Sequence, residues 1–282
     1  MRDLPQYGLA VVTFTDFLGF RALVANTKSA EDHPYGVGFI NAILESLSAT
    51  MGTEEFDGHR INYASNLRSY AFSDSVVRTA AVNEQYLTSD VALSEIIHVA
   101  LIQCNLVSHS PILIRGALCF GQIFATEDCV FGPAFVNAYD LERQVSFYPR
   151  IIVESELART VLKAHNDARD FLRMDSDGVC YIDYLFGASL KEYMTREVEF
   201  LGEGYLFKTL RHHANHIIDA LSGRGDFTAP IFRDGRVRQK YIWLGRYHND
   251  AVRRFWERVD AQDKLNPLLH AKYFVPEMLL EL

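Results

Sequence analysis

The sequence is short of several features that would quickly place a protein. No apolar run approaches the roughly 18 to 20 residues that cross a bilayer. The opening MRDLPQYG has neither the basic nor the apolar region of a secretory signal. Cysteine is scarce, with only Cys104, Cys119, Cys129 and Cys180 and no CxxC pair, so neither a zinc ribbon nor a disulfide scaffold is expected. Buried free thiols in a reducing compartment fit that usage, and the expectation is a cytoplasmic protein. Positive charge is also in deficit. Against 36 Asp and Glu stand 28 Lys and Arg, a formal charge of -8, which weighs against non-specific binding of duplex DNA or anionic lipid. The expectation is therefore no nucleic-acid partner and no membrane. A small polyanion is not excluded, because a few local cations and a bound metal can hold a triphosphate inside an acidic protein.

What is present is apolar and aromatic. Nearly half of the 282 residues are apolar, enough for a large core. GLAVVTFT at 8–15 reads as a β-branched strand. Val37, Ile40, Ile43, Leu44 and Leu47 recur at helical spacing. HRINYAS and RSYAFSDSVVRTA read as paired strands, and 89–107 as a helix opened by a Ser-Asp cap. PILIRGALCFGQIFA is strand-like, FGPAFVNAYDLERQ is a helix with Pro133 in its first turn, and PRIIVE is a short strand. The order predicts an α+β fold, helices against a mainly antiparallel sheet. From about residue 190 strand signals fade and helical ones take over, in LFKTLRHHANHIIDALSG and KYIWLGRYHNDAVRRFWERV. The predicted division is a catalytic-type domain at 1–190 and a helical C-terminal extension at 191–282.

Two acids stand out. In VVTFTDFLGF a strand that reads as buried ends in Asp16, which needs a helix N-terminus, a basic side chain or a metal ion to meet it. In SYAFSDSVV, Asp74 sits in a tight turn between apolar fragments. Two carboxylates at one sheet edge repel unless a divalent cation lies between them, and such oxygen donors suit Mg²⁺ or Mn²⁺. The alternative uses are ordinary ones: Asp16 as a helix N-cap and Asp74 as a turn former.

FTDFLGFRALV, AFSDSVV, IRGALCFGQIF and FGPAFVNAYDLE, taken in order, resemble the class III nucleotidyl cyclase catalytic domain. RGALCFGQ, FGPAFVNAYDLE and KYIWLGRYHN resemble more narrowly the Pycsar pyrimidine cyclases, bacterial anti-phage enzymes. The resemblance implies a cyclase-like antiparallel sheet flanked by helices. It also implies conversion of UTP, or CTP, to a 3′,5′-cyclic nucleotide that a downstream effector reads. Asp16 and Asp74 match the two metal acids, with Ser73 where the family has glycine and the Phe17 carbonyl as a further ligand. Two Mn²⁺ or Mg²⁺ ions per site are implied, and a homodimer whose sites lie between the two domains.

Tyr70 falls where adenylate cyclases carry a base-reading lysine. A tyrosine there fills space and offers a hydroxyl and a ring face, consistent with a smaller pyrimidine pocket. The transition-state helix departs from the family form. Asn137 is carried over as its asparagine although it lies one place late, and no arginine follows at the family's spacing. Arg115 either faces the phosphates or base, or makes a structural ion pair. Arg236, Arg238 and Lys240 offer triphosphate cations or a solvated basic face. The i, i+4 histidines His212 and His216 lack the neighbouring acid of a zinc motif. DSDG at 175–178 reads as a turn, without the glutamate of a calcium loop.

Overall fold

The computed structural model describes residues 6–26, 37–48, 54–56, 59–61, 67–84, 87–110, 112–187, 205–223, 234–263 and 279–280. The chain divides into two compact units, the first comprising Met1–Leu106 with Ile112–Gly187 and the second Val107–Pro111 with Ala188–Leu282.

The first unit is built on one sheet. Its strands are β1 (Gly8–Leu18), β4 (Leu67–Phe72), β5 (Ser75–Val82), β6 (Leu113–Ala125), β8 (Ile151–Val153), β9 (Leu172–Met174) and β10 (Cys180–Ile182), in the order β4-β5-β1-β6-β8-β10-β9. β7 (Val130–Phe131) folds back on β6. Every pairing on this path is antiparallel except β6 with β8. With helices α1 (Phe20–Asn26), α2 (Val37–Ser48), α3 (Thr88–His109), α4 (Pro133–Val145), α5 (Ser155–Ala164) and α6 (Ala168–Phe171), the class is α+β, as the sequence predicts.

Some details differ from the sequence reading. His59–Ile61 (β3) pairs with Glu54–Phe56 (β2) in a separate ribbon, while RSYAF and SVVRTA close on each other as a hairpin. The sequence reading leaves out the β9–β10 hairpin, whose strands of three residues are too short to show a periodic signal, and α5, whose buried Leu157, Ala158 and Val161 do recur at helical spacing. α3 is long and apolar enough by composition to cross a membrane, contrary to the sequence reading, and 83% of its apolar window is buried inside the fold. That matches a core helix, whose apolar face is matched by the sheet it covers.

Strand period 2 divides β1 between the two faces of the sheet. Ala10, Val12 and Phe14 join Tyr70, Val77, Cys119 and Ile123 in a core cluster closed by Ala134 and Ala138 of α4. Small residues let that helix approach. A Cβ on Gly121 would lie 3.4 Å from that of Ala134. On the opposite face Thr13 donates to Glu95 of α3 at 2.9 Å. Gly116 marks the closest approach of two strands, since a Cβ there would sit 2.2 Å from the Phe14 carbonyl oxygen.

The second unit holds α7 (Tyr205–Ser222) and α8 (Gly235–Asp263). Leu210, His213, Ala214, Ile217 and Ala220 lie on the buried stripe of α7; Leu244, Tyr247, His248, Ala251, Val252 and Phe255 are among the buried residues of α8. His213 Nδ1 lies 3.0 Å from His248 Nδ1, so one ring donates and the other accepts. Burial and the neighbouring His248 push the His213 pKa well down, which favours its neutral ring. The Asn249 amide grips the main chain of Leu280 in both directions, at 2.9 and 2.8 Å. Arg236 and Arg238 are exposed on the first turns of α8.

Candidate active site

The register of four strands lays the site out in rows. Tyr70, Val77, Phe14 and Ala117 face one another across β4, β5, β1 and β6. Two residues further along, the next row on the same face reads Phe72, Ser75, Asp16, Arg115. Asp16 thus follows Phe14 on the α4 face just where the apolar cover ends. The residue directly opposite on β6 is an arginine.

That arginine is the cation the buried strand end requires. Arg115 donates to Asp16 Oδ2 from Nε at 3.1 Å and from Nη2 at 3.0 Å, and from Nη1 to the Ser146 carbonyl at 3.4 Å. Its Nε also lies 2.7 Å from Glu142 Oε1. The latter is a charge contact rather than a hydrogen bond, since the N–H points to Asp16. The three side chains grade from 25% exposed at Arg115, through 16% at Asp16, to 5% at Glu142. Glu142 is the residue that sequence reasoning missed. It continues the buried stripe Ala134, Ala138 at i, i+4 spacing, so a carboxylate falling on an apolar stripe was the available signal.

Asp74 occupies the tip of the β4–β5 hairpin, a two-residue loop of Ser73 and Asp74. Ser73 has φ 56, and Asp74 is not in the positive-φ region, the sign pattern of a type II′ turn that favours glycine at its first position. That is a physical reason for glycine in the resembled family and for strain at serine here. The tip is pinned to the end of β1, because the Phe17 N–H donates to the Asp74 carbonyl at 2.9 Å. Asp74 is half-buried. The main chains bearing the two acids are therefore immediate neighbours. Phe17 itself is buried and stacks on Phe20 with ring centroids 6.1 Å apart.

The remaining candidates lie elsewhere. Tyr70 is buried in the core cluster, and its hydroxyl donates to the Thr126 carbonyl. Burial raises its pKa, against the lowering effect of Arg68. Asn137 is exposed on α4, where it lines an open groove of about 550 Å³ with Asp140, Gln144, Glu154, Glu156 and Val179. Neither Asp16 nor Asp74 lines that groove, so one chain brings together Asp16, Phe17, Asp74 and Arg115 but not Asn137.

The donor set at Asp16 and Asp74 is oxygen only and carries net negative charge, which fits a hard divalent cation. The guanidinium already held by Asp16 shows that this position selects positive charge. Among the described residues no group of three or more His, Cys, Asp or Glu gathers to hold a metal, so a cation here would rest on two carboxylates, main-chain oxygen and outside ligands. DSDG forms the turn between β9 and β10, and its Asp175 and Asp177 receive the fully buried Arg150.

No protein-family model matches the chain. No curated protein matches it. Among solved structures it is similar to the adenylyl cyclase CyaB from P. aeruginosa, at 13% identity and a TM-score of 0.41, over 63% of this chain and 94% of that one. A likeness of that size carries no assignment of activity.

Proposed function

We propose that the chain is a metal-dependent pyrimidine nucleotide cyclase that converts UTP to 3′,5′-cyclic UMP and pyrophosphate. The observation that supports the reading is the hydrogen bond from the Phe17 N–H to the Asp74 carbonyl, which ties the main chain beside Asp16 near the end of β1 to the β4–β5 hairpin tip. The order of motifs that resembles class III cyclases, and the Pycsar enzymes in particular, supplies the reaction. Asp16 and Asp74, with the Phe17 carbonyl, would hold two Mn²⁺ or Mg²⁺ ions. When bound, such ions lower the pKa of a ribose hydroxyl and neutralise charge on a triphosphate. The 3′-oxygen forms its bond to the α-phosphorus as the bond from that phosphorus to the bridging oxygen breaks. The hydroxyl proton passes to solvent and pyrophosphate departs with the electron pair. The acceleration comes from positioning and from electrostatics rather than from covalent work by the chain.

The separation of Asn137 from the two acids supports a site shared by two copies. Asn137 and Tyr70 of one protomer would then serve Asp16 and Asp74 of the other, and two-fold symmetry gives two equivalent sites. A tyrosine at position 70, where adenylate cyclases carry a base-reading lysine, supports a pyrimidine. CTP or ATP as substrate is the nearest alternative. The setting proposed is bacterial anti-phage defence, in the cytoplasm, with a cyclic-nucleotide effector as partner through the product alone.

Incubation with each radiolabelled triphosphate and Mn²⁺ tests the reading. Cyclic UMP should dominate, and cyclic AMP as the main product would defeat the role given to Tyr70. Asp16→Ala and Asp74→Ala should each abolish turnover while the dimer persists in sedimentation; unchanged turnover in either variant refutes the assignment. One observation favours a second reading. The guanidinium already seated on Asp16 suits a nucleotide-binding or dimerisation module without turnover, which would show triphosphate binding but no cyclic product.

A further inference from the structure

Arg115 stands between two carboxylates with opposite prospects. Asp16 lies at the partly exposed end of β1, where a ligand can reach it. Glu142 lies on the buried stripe of α4, where an anion is costly without a cation beside it. Arg115 occupies Oδ2 of Asp16, and a guanidinium and a divalent cation on that same oxygen repel each other, so a cation that takes Oδ2 displaces Arg115. The place for it to go is already built. Glu142 Oε1 is 2.7 Å from Nε, and the Ser146 carbonyl is 3.4 Å from Nη1. A small rotation of the guanidinium turns the charge contact with Glu142 into a hydrogen bond and leaves the Ser146 contact within reach.

We propose that Arg115 and Glu142 are positioning residues that govern cation entry: Arg115 holds Asp16 oriented while no metal is bound, and Glu142 takes the guanidinium over when one binds. The inference rests on Asp16 being a metal ligand, as in the reading above, and adds a regulator of that site. The charge count explains the economy of the arrangement. Before entry the Arg115 charge is shared by two carboxylates; afterwards Glu142 alone neutralises it, and Asp16 and Asp74 together match a divalent ion. Without Glu142, the guanidinium has no second anion among the described residues and stays on Asp16 as a competitor.

The test measures Mn²⁺ binding to the full chain by electron paramagnetic resonance of free Mn²⁺, with no nucleotide and no turnover. Glu142→Gln should weaken binding roughly tenfold, within the usual range for coupled charges in contact. The double variant Arg115→Gln with Glu142→Gln, which leaves no lone buried charge, should recover wild-type binding or better. Wild-type affinity in Glu142→Gln, or equal weakening in the double variant, overturns the proposal. A structure of the wild-type chain with Mn²⁺ separates hand-over from a mere field effect. Arg115 should have left Asp16 Oδ2 and hydrogen-bonded Glu142, and a guanidinium still on Asp16 overturns the hand-over. Asp16→Asn distinguishes the two levels of the argument. If it binds Mn²⁺ as the wild type does, Asp16 is no ligand and the metal reading itself fails; if it loses binding while Glu142→Gln does not, only the hand-over fails.

Discussion

β1 has an arginine–carboxylate centre on each face, and the two are built for opposite ends. On the α3 face, Arg78 of β5 meets Glu95 at 2.7 and 3.2 Å, His98 Nδ1 at 2.8 Å and the Leu47 carbonyl at 2.9 Å. Thr13 donates to the same glutamate. Arg78 and Glu95 are 1% and 4% exposed. Burial works to raise the Glu95 carboxyl, and Arg78 outweighs it, leaving the pKa below the ordinary value. On the α4 face, Arg115 is shared between Asp16 and Glu142 and is a quarter exposed. The first centre is a closed network that fixes β1 and β5 to α3. The second is open on one side and can change partners. The lesson is that the same pair of residue types is a clamp when sealed from water and an exchangeable contact at a rim.

The largest effect should come from breaking the closed centre. Arg78→Met leaves Glu95 buried without its cation and should cost about 3–5 kcal/mol, read as a lower midpoint in urea unfolding. A loss under 1 kcal/mol would mean that the network is no clamp.

Acid should find the same weak point. Arg78 has no acceptor, so it donates to His98 Nδ1 and the ring must keep its proton on Nε2. Burial, and then the Arg78 charge, lower the His98 pKa from 6.5 to about 4. Between those values the unfolded chain binds a proton that the folded chain does not. The stability is therefore intact above the unfolded value and lost as pH falls toward the folded one, by up to about 3 kcal/mol. His98→Gln, which keeps an acceptor for Arg78, should flatten that dependence in urea melts at pH 7 and pH 4.5. His213 and the half-buried His216 move in the same direction but are common to both proteins, so they cancel in the difference. An unchanged slope would exonerate His98.

The join between the two faces is next. Gly116→Ala drives a methyl into the Phe14 carbonyl, a main-chain atom that cannot yield without parting β1 from β6, and should cost about 1–3 kcal/mol. Thermal melting that matches the wild type would show that the strands have room. The smallest effect belongs to the open centre. Asp16→Asn leaves Arg115 with Glu142 and should change stability by less than about 1 kcal/mol, the scale of a partly exposed pair. A loss as large as that of Arg78→Met would make the two centres alike and remove the contrast.

Much of this was legible in the chain. A β-branched strand running into an acid, an amphipathic pattern at 37–47 and Pro133 opening a helix are local signals, and each element formed there, although β1 continues past Asp16 to Leu18. Asp74 at a hairpin tip was equally readable, because a two-residue loop is a local event. Arg78, Glu95 and His98 were not legible, since nothing local sets a charged residue in a strand or helix apart as buried. Glu142 gave a faint signal, a carboxylate on an apolar stripe. Asn137 shows the reverse case. Its motif drew attention to it, and the fold sets it on a groove that neither acid lines.

The sequence by itself decided that an acid would lie near the end of β1 and need a positive partner, and that a second would sit in a tight turn. Spacing along a few residues suffices for that, because strand and turn geometry repeat over short distances. Only the tertiary structure decided which cation answers Asp16. Arg115 is 99 residues away in the chain, and strand register alone sets the two opposite each other. Register depends on which faces are buried together across the whole sheet, and no local stretch holds that information.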